Sequence, residues 1–113
     1  MKPNKPASAR QLRKRKMIRD LSIKYHHFKI RCKERLGIDM TIWKILDIVN
    51  DINHDKIPLA FEDKNTYIYM HNLTPTEKDK VQFIFFNKVD NIPLTVYTPH
   101  MMYKYIKKIK YEH

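Results

Sequence analysis

The sequence predicts an α+β fold, with N-terminal helices packed on a four-stranded, mostly antiparallel sheet and a further helix after it. Three observations carry that prediction. Apolar residues recur at helical spacing through the first half of the chain, then change to the short, β-branched and aromatic runs of strands. Turn residues, not long crossovers, separate those runs, so neighbouring strands must pair antiparallel. Thr98 followed by Pro99 then reopens a helical pattern.

Ser8 is a plausible N-cap for the first helix. Nothing from there to Leu36 breaks a helix, so the spacing predicts one continuous element. Leu21, Tyr25, Phe28, Cys32 and Leu36 make its apolar stripe. Gly37 occupies the position after a helix where only glycine turns left-handed without strain, and Ile38 is the hydrophobic residue expected next. Asp39 or Thr41 can cap a second helix, which buries Ile42, Ile45, Leu46, Val49 and Ile52, with Trp43 beside them.

Residues 57–62 carry Pro58 and suit an edge strand. Residues 66–73 form a second strand, on which Tyr67, Tyr69 and His71 alternate. That face suits either base stacking or, the preferred reading, half-burial under a helix. Residues 74–79 are a polar loop. Residues 81–86 are the most hydrophobic run and the candidate central strand. Residues 94–98 form the last strand. Residues 99–111 form the final helix, with Met102, Tyr105, Ile106 and Ile109 inward and four lysines outward. The expected order is α-α-β-β-β-β-α, with the helices on one face of the sheet.

Charge divides the chain more sharply than secondary structure does. The net charge is +11 over 113 residues. Residues 1–35 hold 13 Lys/Arg against two acids, Asp20 and Glu34; the remainder is balanced. The chain therefore reads as a basic arm over residues 1–19, partly disordered or extended, and one α+β domain over residues 20–113. Residues 1–7, with two prolines, are expected to be disordered. Arg10, Arg13, Lys14, Arg15, Lys16, Arg19 and Lys24 are the candidate contacts to a polyanion, with RNA the leading partner.

Several classes are disfavoured. No run reaches the roughly 18 apolar residues of a membrane span. The charged N-terminus lacks a signal-peptide core, so a cytoplasmic location is expected. Cys32, the single cysteine, suits packing on the apolar stripe. No Cys-x-x-Cys, His-x-x-x-His or glycine-rich phosphate loop occurs, so neither a metal nor a cofactor is expected. Asp47, Asp51 and Asp55 suit a solvated helix edge. Abundant Lys, Ile, Asn and Tyr with one glycine fit an AT-rich genome, such as many phages or low-GC bacteria have.

One spacing suggests chemistry. His27, Arg31 and Arg35 fall four apart on the first helix and share one polar stripe. Metal-free RNA cleavage needs a group that titrates near neutrality to move protons, and fixed cations to stabilise the phosphoryl oxygens. Such a stripe on a basic helix is more often a solvated phosphate-binding face.

The run from His27 to Ile38, a short second helix and a meander ending Leu94-Thr95-Val96-Tyr97 resemble the barnase–EndoU–colicin–RelE-like superfamily of small ribonucleases, especially its phage and toxin-type members. The resemblance spans roughly residues 25–98. It implies a RelE-like fold and a metal-independent endoribonuclease that cleaves mRNA through 2′-OH attack. It implies His27 as general acid/base, Arg31 and Arg35 on phosphate, Thr95 and Tyr97 orienting the phosphate or 2′-OH, and His71 as a second imidazole. Ribosome-bound mRNA and an antitoxin are the partners it suggests. Two other expectations remain beside it: a non-catalytic RNA- or ribosome-binding factor, and a small phage-type inhibitor of a host protein.

Overall fold

The structure, a computed structural model, describes residues 8–74 and 80–111. The expected disorder of residues 1–7 and most of the polar loop at 74–79 lie outside the described residues. The elements are α1 (Ala9–Lys24), α2 (His26–Leu36), α3 (Ile42–Asn53), β1 (Leu59–Glu62), β2 (Thr66–His71), β3 (Gln82–Asn87), β4 (Ile92–Tyr97) and α4 (Pro99–Tyr111). The four strands form one antiparallel sheet in the order β1-β2-β3-β4.

The start of α1 is fixed by a reciprocal cap. The Gln11 amide N–H donates to Ser8 Oγ at 3.1 Å, and the Ser8 N–H donates to Gln11 Oε1 at 2.9 Å. The helix expected to run unbroken to Leu36 is divided instead at Tyr25 (φ −101°, ψ 11°) into α1 and α2. No glycine or proline causes this. Tyr25 N–H still donates to Leu21 O, and Tyr25 O accepts from Lys29 N–H, both at 3.0 Å. Burial changes at this point: α1 buries no side chain, whereas Tyr25, Phe28 and Cys32 are all buried.

Gly37 ends α2 at φ 67°. Its N–H donates to Lys33 O, and the Ile38 N–H to Cys32 O, the paired bonds of a glycine-stopped helix. Of the two candidate caps for α3, Thr41 serves: Thr41 Oγ1 accepts from the Lys44 N–H at 3.2 Å. Ile45, Ile48, Val49 and Ile52 form the buried face of α3, while Trp43 is 56% exposed.

The sheet is covered on both faces, which corrects the expectation of helices on one face only. Strand alternation explains it. Tyr67 and Tyr69, Ile84 and Phe86, and Ile92 and Val96 pack with α2 and α3 in one cluster. Their neighbours Ile68, Phe83, Phe85 and Tyr97 pack with Met102 and Tyr105 of α4 in a second. On α4, Ile106 is 46% exposed and does not join the inward face.

β3 is central, as its composition predicts, and β4 is an edge. β4 begins earlier than expected and includes Pro93, opposite a pairing irregularity at Phe85/Phe86. An edge strand tolerates that proline because only one side of it pairs.

Two substitutions separate core packing from backbone strain. Phe28 is fully buried, so Phe28→Ala is expected to cost about 3–5 kcal/mol. No atom lies within 4 Å of an added Cβ at Gly37, so Gly37→Ala should cost only its left-handed strain, about 1–2 kcal/mol. Urea unfolding midpoints measure both, and an equal loss from the two would contradict this assignment.

Candidate nucleic-acid interface

α1 is the first component. None of its 16 residues is buried. Arg10, Arg13, Lys14, Arg15, Lys16, Arg19 and Lys24 are all exposed, and Asp20 is the one acid among them. No ion pair engages these cations among the described residues. Arg13 Nε donates only to Ala9 O, at 3.4 Å, and Lys24 Nζ lies 5.6 Å from the Tyr25 ring centre. Leu12, Met17 and Ile23 are also exposed on this helix.

The second component is the stripe on α2, whose three members have separate environments. His27 is exposed, with its ring 6.0 Å from that of His26, and both face an open hollow with Arg19, Ser22 and Ile23. Arg31 is exposed and donates through Nη1 to Glu34 Oε2 at 2.9 Å. Arg35 reaches around the outer edge of β4. Its Nη1 donates to Thr95 Oγ1 at 2.6 Å and to Val96 O at 2.9 Å, and its guanidinium lies 5.1 Å from the Tyr97 ring centre.

Thr95 and Tyr97 share a face, opposite Phe85 and Phe83 respectively. Both meet Arg35. Tyr97 is held from behind by Phe85, with ring centres 4.3 Å apart, and by Tyr105 at 6.0 Å. Tyr105 is in turn fixed: its hydroxyl donates to Asp63 Oδ2 at 3.0 Å. Burial and that carboxylate push the Tyr105 phenol up to about 12.

Three of the six expected catalytic residues thus converge, and three do not. Among the described residues no hydrogen bond or ring contact joins His27 or Arg31 to Arg35, Thr95 or Tyr97. Eight residues of helix separate His27 from Arg35, a rise of about 12 Å. His71 ends β2 opposite Gln82, on the sheet face under α2 and α3. Thr95 and Tyr97 lie on the other face, two strands away. Burial lowers the His71 imidazole below its ordinary 6.5, partly offset by the Asp51 carboxylate of α3. That places His71 with the core layer.

The third component is a cleft of about 500 Å³ between the end of α2, the first turn of α3 and the start of α4. Arg35, Lys44, Lys80 and Thr98 line it, and no acid does among the described residues. Only Arg35 is a site candidate in the sequence. Lys80 flanks the central strand, but nothing in the spacing ties it to Lys44 or Thr98. Capping was the available signal: Lys44 is the third residue after the Thr41 cap, and Thr98 caps α4 through its Oγ1, which accepts from the Met101 N–H at 3.3 Å.

No family model, curated protein or solved structure matches this chain. Among the described residues no group of three or more His, Cys, Asp or Glu side chains could hold a metal, and no helix is long and apolar enough to cross a membrane. Cys32 is buried, and desolvation raises its thiol to about 12.

His71 gives a pH signature with a definite sign. Its folded pKa lies below the unfolded value of about 6.5, so the unfolded chain binds more protons in acid. Stability associated with His71 is intact above pH 6.5 and falls as pH drops toward the folded value. Unfolding midpoints measured from pH 7.5 downward should fall less steeply in His71→Gln than in the parent; identical slopes would count against it. Arg35→Lys should lose about 1–3 kcal/mol, since an ammonium cannot reproduce the paired donation and ring contact. An unchanged thermal midpoint would show that the Arg35 contacts to β4 carry no stability.

Proposed function

We propose that this protein binds RNA, using α1 and the exposed side of α2 to track the phosphate backbone. The observation that carries this is α1 itself. It is a capped helix of 16 residues with seven cations, one acid and no buried side chain. Packing against the domain explains neither its length nor its composition. A helix of that length rises about 24 Å, enough to follow several successive phosphates. Exposed Leu12, Met17 and Ile23 offer apolar contacts to bases or ribose between the charges.

The likeness to small ribonucleases supports RNA over other polyanions, and a second reading follows from it. Arg35, Thr95 and Tyr97 meet at one edge of the sheet, as a phosphate-binding centre of a metal-independent endoribonuclease would require. In that reading His27 takes the 2′-OH proton, or returns one to the leaving 5′-oxygen, while Arg35 steadies the phosphoryl group. The helical rise between His27 and Arg35 is the reason binding comes first and cleavage second.

The test is salt dependence. Anisotropy titrations of a short 5′-hydroxyl single-stranded RNA between 50 and 200 mM salt should give a slope approaching about −5 in log affinity against log salt if all seven cations engage. Replacing Arg13, Arg15, Lys16 and Arg19 together by Ala should reduce that slope by about 3. A slope near zero, or one the variant leaves unchanged, would sink the proposal. Incubating labelled RNA in EDTA with wild type and His27→Ala decides the second reading: cleavage by wild type alone supports it, and intact RNA throughout removes it.

A further inference from the structure

We propose that the cleft between α2, α3 and α4 is a binding site for a nucleoside monophosphate group, with the phosphomonoester on Arg35 and Lys44. The site is distinct from the α1 arm. It rests on cavity shape, charge and a pre-aimed guanidinium.

At about 500 Å³ the cleft falls in the range of small-molecule sites. Arg35 and Lys44 bring cations to its lining, and no acid lines it among the described residues. Arg35 is held by Nη1 alone, on Thr95 Oγ1 and Val96 O, with Tyr97 beneath it. Among the described residues its Nε and Nη2 make no hydrogen bond. A planar fork fixed at one end, with donors remaining at the other, is already arranged for two phosphate oxygens. Lys44 is exposed, has no ion-pair partner among the described residues, and stands in the first turn of α3.

The start of α4 adds to this field. Thr98 and Pro99 open a helix of 13 residues into the cleft. The partial positive charge of that terminus favours an anion, and the Thr98 O–H remains a donor while its oxygen accepts from Met101.

The remaining wall selects for more than bare phosphate. Leu36, Ile38 and Leu73 add apolar surface to the lining. Gln82, 2% exposed, stiffens that wall: its Oε1 accepts from the Leu73 N–H at 2.6 Å and its Nε2 donates to Thr74 Oγ1 at 3.2 Å. A bare dianion uses only the cations. A planar ring system attached to a phosphomonoester also covers the apolar part of the lining, and a nucleotide has that form. Free nucleotide and the 5′-phosphorylated end of an RNA chain share this chemistry.

The experiment titrates the full chain with adenosine 5′-monophosphate, adenosine and inorganic phosphate by calorimetry. Adenosine monophosphate should bind at least tenfold more tightly than either fragment. Lys44→Ala should weaken it roughly tenfold, the loss expected for one charged hydrogen bond, with the unfolding midpoint unchanged because the side chain is exposed. Equal affinity for adenosine monophosphate and adenosine, or an unchanged affinity in Lys44→Ala, would overturn the proposal. The quadruple arm variant separates the two sources and the two surfaces. If it retains nucleotide affinity and prefers 5′-phosphorylated over 5′-hydroxyl RNA, the ligand is an RNA end. If it retains nucleotide affinity without that preference, the ligand is free nucleotide. Loss of RNA binding in that variant with nucleotide binding intact assigns the two activities to separate surfaces.

Discussion

The packing of α2 along the edge strand β4 is the constraint on which the rest of the structure depends. Phe28 and Cys32 enter the same buried cluster as Ile84, Phe86 and Val96. That places the next turn of α2 over the unpaired side of β4. An edge strand exposes carbonyls that can recruit another chain; here Arg35 takes the Val96 carbonyl and the neighbouring Thr95 hydroxyl. One side chain therefore covers an edge, joins a helix to the sheet and presents a fixed guanidinium to the adjoining cleft. Only one terminal nitrogen is occupied, so the proposed ligand role is compatible with the structural one.

The far side of the sheet supports this arrangement. Tyr97 contacts Arg35 on one side and the rings of Phe85 and Tyr105 on the other. Tyr105 ends on Asp63, which also accepts the N–H groups of Asn65 and Thr66 in the turn between β1 and β2. A turn at one edge of the sheet is thus linked through α4 to an arginine at the other. Burial disfavours the Asp63 carboxylate, but these hydrogen bonds and the charge of Lys88 more than offset it, so its pKa lies below the ordinary value. The carboxylate stays charged at neutral pH and keeps Tyr105 oriented.

Local signals in the sequence predicted what local physics controls. Gly37 had to take a left-handed conformation, Thr98-Pro99 had to open a helix, and residues 81–86 had to sit at the centre of the sheet. Three features were not legible because they depend on distant partners. The division at Tyr25 has no breaker residue and falls where burial begins. The placement of α4 follows from α2 and α3 covering the other face of the sheet. The convergence of Arg35 with Lys44 required the relative placement of two helices. The candidate site divided along the same line. Spacing placed His27, Arg31 and Arg35 on one helix face, but a shared face is not a shared site: the two arginines reach different partners, and His27 stands two turns away.

The distribution of charge then suggests a division of labour. Cations on an unburied helix act through long-range attraction: they raise encounter rate and affinity, weaken with salt and distinguish little between sequences. A guanidinium oriented by a hydroxyl, a carbonyl and an aromatic ring acts over a few ångströms and depends on geometry, so it discriminates. α1 and Arg35 represent these two regimes in one short chain. The junction at Tyr25 is where one regime gives way to the other: α1 before it buries no side chain and touches the core only through Leu21, while Phe28 and Cys32 after it are buried and hold Arg35 in register with β4.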